Sequence, residues 1–120
     1  MFVSLDSTDP RPIYIQIMDE VRRGIVMGAL APHAPLPSVR QLAAELRVNP
    51  NTVQQAYREL ERDGVVYVQR GQGTYVAEGG VPKQERRRLL KAVAARAMRD
   101  AARHGFTVDE LLGEIREEES

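Results

Sequence analysis

Apolar residues in the first part of the chain recur at helical spacing. After Pro12, residues Tyr14, Ile17, Met18, Val21 and Ile25 repeat every three or four positions until Gly28, which predicts an amphipathic helix opened by a first-turn proline. The segment APHAPLP that follows carries three prolines in seven residues, so it must be an extended connection. Ser38 then supplies an N-cap for VRQLAAEL, whose Val39, Leu42, Ala43 and Leu46 face one way. Arg47 and Val48 form a tight turn. A second cap follows at Asn49, with Pro50 in the first position of a helix that runs through TVQQAYRELERDG and stops at Gly64.

The period then shortens from helix to strand. VVYVQRGQGTYVA sets two β-branched and aromatic runs around Arg70-Gly71-Gln72-Gly73, the pattern of a hairpin. Gly79, Gly80 and Pro82 punctuate the chain and predict a boundary, giving a first domain of residues 1–78 and a tail of residues 79–120. Within the tail, a long helix over KQERRRLLKAVAARAMRDAARH ends at Gly105, and Thr107 with Glu110 forms a capping box for VDELLGEIREEE. The expected fold class is mainly α (α+β): a winged helix-turn-helix with a two-stranded wing, followed by a short two-helix tail. Met18, Met27 and Met98 lie on apolar faces and are expected to fill core.

Composition narrows the function. With 42% apolar and 28% charged residues, the chain has ordinary globular composition. Formal net charge is zero and lends nucleic-acid binding no global support, yet residues 11–76 hold eight arginines against six acids. The tail opens on the basic KQERRRLLK and closes on the acidic EEES. Without cysteine there is neither a disulfide nor a thiolate metal site. His33 and His104 stand far apart with no partner at ligand spacing, and no catalytic constellation is visible, so no metal, no cofactor and no enzymatic activity are expected. The segment MFVSLDSTDP lacks the features of a signal peptide, and no run approaches the ~18 apolar residues of a membrane span. A soluble cytoplasmic protein with no membrane partner is the expectation.

Two short helices joined by a tight turn and followed by a glycine-tipped hairpin make the arrangement in which the second helix enters a DNA major groove and the hairpin is a wing. At 100° per residue, the second helix puts Val53, Ala56, Tyr57 and Leu60 on one face, Asn51, Gln55, Arg58 and Arg62 opposite, and Gln54 on the flank. Asn and Gln can pair bidentately with adenine, and Arg with guanine or a phosphate. An ordinary surface helix shows the same polarity, and it is the surrounding motif that favours DNA. Arg40 follows a capped helix start and can reach phosphate, although an ion pair with Glu45 is the alternative. Amides near Asn51 and Thr52 are expected to form an anion-attracting helix terminus.

The stretch LPSVRQLAAELRVNPNTVQQAYRELERDGVVYVQRGQGTYVA resembles the GntR-family DNA-binding domain. The Leu-Pro-Ser-x-Arg opening, the Thr-Val of the second helix, the Leu-Glu-x-x-Gly exit and the Gly-x-Gly-Thr-x-Val wing carry the likeness. PIYIQIMDEVRRGIVMGAL extends it upstream, and the two-helix tail looks like that of the YtrA subfamily. The resemblance implies double-stranded operator DNA as partner, repression of transcription, and DNA contacts at Arg40, Asn49, Pro50, Asn51, Thr52, Gln54, Arg70 and Gly71. The chain departs from the family at PHAPLPS, where His33 and Ala34 occupy a turn that usually holds a glycine and an acid, and at Gln54, where many relatives carry arginine.

In the tail, Leu89, Leu90, Val93, Ala97, Met98 and Ala101 form one apolar stripe, and Leu111, Leu112 and Ile115 another. A homodimer would cover both and would set two recognition helices on palindromic half-sites ~34 Å apart. Two other functions compete: a winged-helix protein-interaction module without DNA binding, and a small-molecule sensor with a pocket at the dimer interface. Two helices alone are too few to enclose a typical ~300 Å³ pocket, and the sequence identifies no effector.

Overall fold

Val53, Ala56, Tyr57 and Leu60 bury one face of the third helix, and the first part of the chain is assembled on that face. The computed structural model describes residues 3–120. Its elements are α1 (Ile13–Val26), α2 (Val39–Leu46), α3 (Pro50–Arg62), β1 (Val66–Gln69), β2 (Gly73–Val76), α4 (Lys83–Arg103) and α5 (Val108–Glu119). One compact unit ends at Leu89 and a second spans Leu90–Ser120.

In the first unit, Ile17, Met18 and Val21 of α1 and Leu42 and Ala43 of α2 pack on α3 with Val65, Val66 and Val76 of the wing. Local chemistry sets the helix ends. The Ser38 hydroxyl accepts from the Gln41 amide at 3.1 Å while Gln41 Oε1 accepts from the Ser38 amide at 2.9 Å, a reciprocal capping box. Arg47 adopts a left-handed φ of 57° at the turn into α3.

The wing is antiparallel, with Val66 opposite Val76 and Gln69 opposite Gly73. Its turn is therefore the three residues Arg70, Gly71 and Gln72. The extended connection after α1 joins it: the His33 amide donates to Val76 O, the Val76 amide to Ala34 O and the Leu36 amide to Thr74 O. Pro35 bridges Tyr75. A proline fits there because it sits on an edge.

Two features were not foreseen from the sequence pattern. The segment before α1 docks on that helix, with Val3 buried, the Ser4 amide donating to Glu20 Oε1 at 3.0 Å and the Asp6 amide to Gln16 Oε1 at 2.9 Å. The first unit also runs past Gly79-Gly80 to include the first two turns of α4, because Glu85 and Leu89 are buried there.

The second unit buries nothing fully. Among residues 90–120 no side chain is buried, and Leu90, Val93, Met98, Leu112 and Ile115 are exposed. Thr107 and Glu110 form the capping box expected for α5. Only Met18 of the three methionines expected in core is buried. Met27 is 68% exposed because α1 has already ended at Val26, and Met98 is 46% exposed because the tail offers it no second apolar face.

Leu60→Ala should lower the free energy of unfolding by about 2–5 kcal/mol, since the residue is fully buried in the core cluster. Ser38→Ala should cost about 1 kcal/mol through the lost cap. Urea denaturation followed by circular dichroism measures both, and a Leu60→Ala loss no greater than that of Ser38→Ala would contradict the packing described.

Candidate nucleic-acid interface

The buried stripe of α3 leaves its opposite side in solvent. Asn49, Pro50, Asn51, Gln54 and Arg58 are exposed, while Thr52 and Gln55 are half-buried on the other flank. Arg40 is exposed on the first turn of α2, and Arg70 and Gly71 are exposed at the wing tip. Arg40, Arg58 and Arg70 form no ion pair among the described residues, so each guanidinium keeps its full hydrogen-bonding fork for a partner. The pairing of Arg40 with Glu45 considered above does not form. Arg62 differs: Glu59 holds it at 2.6 Å and Asp63 at 3.6 Å.

An open groove runs between α3 and the wing. Gln54, Arg58 and Glu61 line one wall, and Val68, Gln69, Gly71, Gln72 and Thr74 the other. It brings three predicted residues together, Gln54, Arg58 and Gly71, and adds Gln69 and Gln72. Those two glutamines flank the Arg70-Gly71 pair in the hairpin, and their signal in the sequence was that position alone. Gly71 has a φ of +76° with open space where a Cβ would stand, so the turn requires glycine and also leaves the backbone bare.

The start of α3 departs from expectation. Asn49 Oδ1 accepts from the Asn51 amide at 2.8 Å, Asn49 O accepts from the Thr52 amide at 2.9 Å, and Pro50 has no amide to offer. The amides near Asn51 and Thr52 are therefore already satisfied by Asn49, and an anion there would meet side chains rather than free N–H groups.

Tyr57 fixes the angle of α3 against the chain entering α2. Its hydroxyl donates to Pro37 O at 2.7 Å, and burial, reinforced by the charge of Glu45, pushes the phenol up, so it stays a donor. At the turn where a glycine is usual in the GntR family, His33 takes a φ of 66°. Its Nδ1 lies 2.9 Å from the Tyr67 hydroxyl, its ring meets Tyr67 edge-on, and Tyr67 stacks on Tyr75. These contacts offset the cost of a left-handed non-glycine residue.

In the tail, Leu89 is only 8% exposed and is spent within the first unit, apart from the rest of its expected stripe. Leu90, Val93, Ala97, Met98, Leu112 and Ile115 are exposed, and Ala101 and Leu111 half-buried. An open cleft of about 510 Å³ lies between α4 and α5, lined by Ala97, Ala101, His104, Phe106, Leu111 and acidic neighbours. The cleft is open, and the two helices do not enclose it. Among the described residues no group of three metal-ligating side chains forms, and no helix is long and apolar enough to cross a membrane.

Comparison with known proteins matches residues 13–76 to bacterial regulatory proteins of the gntR family. The HTH-type transcriptional regulator YhcF of Bacillus subtilis is 38% identical over 107 residues, covering 88% of each chain. The HTH-type transcriptional repressor YtrA of the same organism is 43% identical over 76 residues, 63% of this chain and 58% of that one, so the match spans little over half of YtrA. The DNA-binding domain of AraR, solved in complex with operator ORR3, superposes with a TM-score of 0.55 at 30% identity, over 62% of this chain and 89% of that one.

His33→Val should destabilise the first unit by about 1–3 kcal/mol, because a β-branched residue is strained at positive φ and cannot bond Tyr67. His33→Asn should lose less than about 1 kcal/mol, since asparagine tolerates that region. Thermal melting of the pair checks this, and equal losses would mean that backbone strain plays no part.

Proposed function

The chain belongs to the GntR family of bacterial regulatory proteins, and we propose that it is a cytoplasmic, sequence-specific repressor acting as a homodimer on palindromic operator DNA. As a member of that family it is a transcription regulator and not an enzyme. One observation carries the DNA reading: α3 turns Asn51, Gln54 and Arg58 to solvent beside a wing whose tip holds Arg70 and a bare Gly71 backbone. Side chains that do nothing for the fold are free to read base edges. In this reading Asn51 and Gln54 contact bases, with Gln55 and Arg58 beside them. Arg40, Asn49, Pro50 and Thr52 lie along the phosphates, and Arg70 and Gly71 approach a minor groove.

The homodimer rests on the tail. Leu90 at 63% and Val93 at 52% exposure stand with Met98, Leu112 and Ile115 in solvent, and clustered exposed apolar side chains mark interaction surfaces. A second copy satisfies it and supplies the two-fold symmetry that a palindromic operator requires. The cleft between α4 and α5 would then be the place for an effector, if the dimer leaves it open.

Asn51→Ala or Gln54→Ala should lower operator affinity by about 1–3 kcal/mol while nonspecific binding is nearly unchanged. Arg40→Ala should instead weaken all sequences and reduce the slope of log affinity against log salt by roughly 0.9. Fluorescence anisotropy on operator and random duplexes across a salt series separates the two, and no binding to either duplex at low salt would favour the protein-interaction alternative.

Truncation after Leu89 keeps the buried part of α4 and removes the exposed stripes. The truncated chain should sediment as a monomer and bind operator on the order of a hundredfold more weakly, through lost tethering. A full-length chain that is already monomeric, or a truncated one that binds equally well, would end the dimer reading.

A further inference from the structure

Arg22 lies on α1, does not line the groove, and is only 3% exposed. Its guanidinium meets carboxylates from three elements: Asp19 of α1 at 3.1 Å, Asp63 at the C-terminal cap of α3 at 3.3 Å, and Glu85 in the first turn of α4 at 2.6 Å. Arg88 closes the cluster from α4, at 3.2 Å from Glu85 and 4.0 Å from Asp63. Glu85 is itself buried, at 6% exposure, and Leu89 sits one turn further along. A carboxylate and a guanidinium withdrawn from water together favour one geometry strongly, because separating them strands a buried charge.

We propose that Arg22 is a positioning residue that locks the first turns of α4 to the exit of the recognition helix and thereby sets the half-site spacing the dimer accepts. The inference rests on the reading of the chain as a DNA-binding dimer. The exit of α3 and the start of α4 share one cation, so neither can shift without the other losing a partner. With the first turns of α4 held to the first unit, a dimer accepts a single separation of recognition helices. An α4 free to pivot would tolerate several.

The test uses the full-length chain and Glu85→Gln, which preserves shape and removes the charge, because Arg22→Met could fail to fold. Met18→Ala serves as a control that loosens the core of the first unit without removing a charge from the cluster. Each protein is put through selection on a random duplex library. The native chain should enrich paired half-sites at one separation. Glu85→Gln should enrich the same half-site at several separations and bind the native spacing about tenfold more weakly, through loss of a buried ion pair. Met18→Ala should keep the single spacing. Hydrogen exchange of the DNA-free proteins gives a second readout: amides of residues 86–89 should exchange about tenfold faster in Glu85→Gln. Unchanged spacing and exchange in Glu85→Gln, or equal broadening in Met18→Ala, would overturn the proposal. If the native chain enriches no DNA, the DNA reading fails and the spacing role with it, whereas the exchange result still decides whether the lock exists.

Discussion

The separation of the two faces of α3 is the constraint on which the first unit depends. Val53, Ala56, Tyr57 and Leu60 must be dry for the unit to hold together, and the helix can carry Asn51, Gln54 and Arg58 in water only because the dry face is sufficient. Helices α1 and α2 and strand β1 supply the surfaces that dry it. The Tyr57 hydroxyl, whose partner is a backbone carbonyl before α2, turns that packing into a fixed angle. Exposure of the polar face thus follows from burial of its opposite.

Much of this was legible in the sequence where the determinants are local. The limits of α2 follow from Ser38 and from an apolar set at helical spacing, and those of α5 from the Thr107 and Glu110 pair. Asn49 and Pro50 marked the start of α3 for the same reason. Determinants that act across the chain were not legible. Nothing local to His33 indicates a left-handed residue, since its conformation is set by pairing with β2 and by a tyrosine thirty-four positions away. The buried contacts of Arg22 join residues forty-one and sixty-three positions apart, which no periodicity reports. The amides at the start of α3 looked available because a cap shows in sequence only as a residue type, without the bonds it has already made.

The tail follows a different logic. Its two helices are capped and regular, so their existence is a local matter, yet they leave their apolar positions exposed. Leu89 and Leu90 divide the roles between neighbouring residues. The first is buried at the end of the unit before it, and the second faces solvent. The boundary between the units therefore falls inside a continuous helix rather than at the glycine pair that punctuates the sequence.

The cap at Asn49 bears on how such a protein could change its preferred sequence over generations. Gln54 and Arg58 hold nothing in the fold, so replacing them alters the surface offered to a duplex at little cost to folding. Asn49 has no such freedom, because the side chain that lies beside the duplex in the proposed reading is also the one that closes the start of the helix. Drift in recognition should therefore pass through the middle turns of α3, while the cap position before it is restricted to side chains that can accept from the Asn51 amide, a requirement unrelated to DNA.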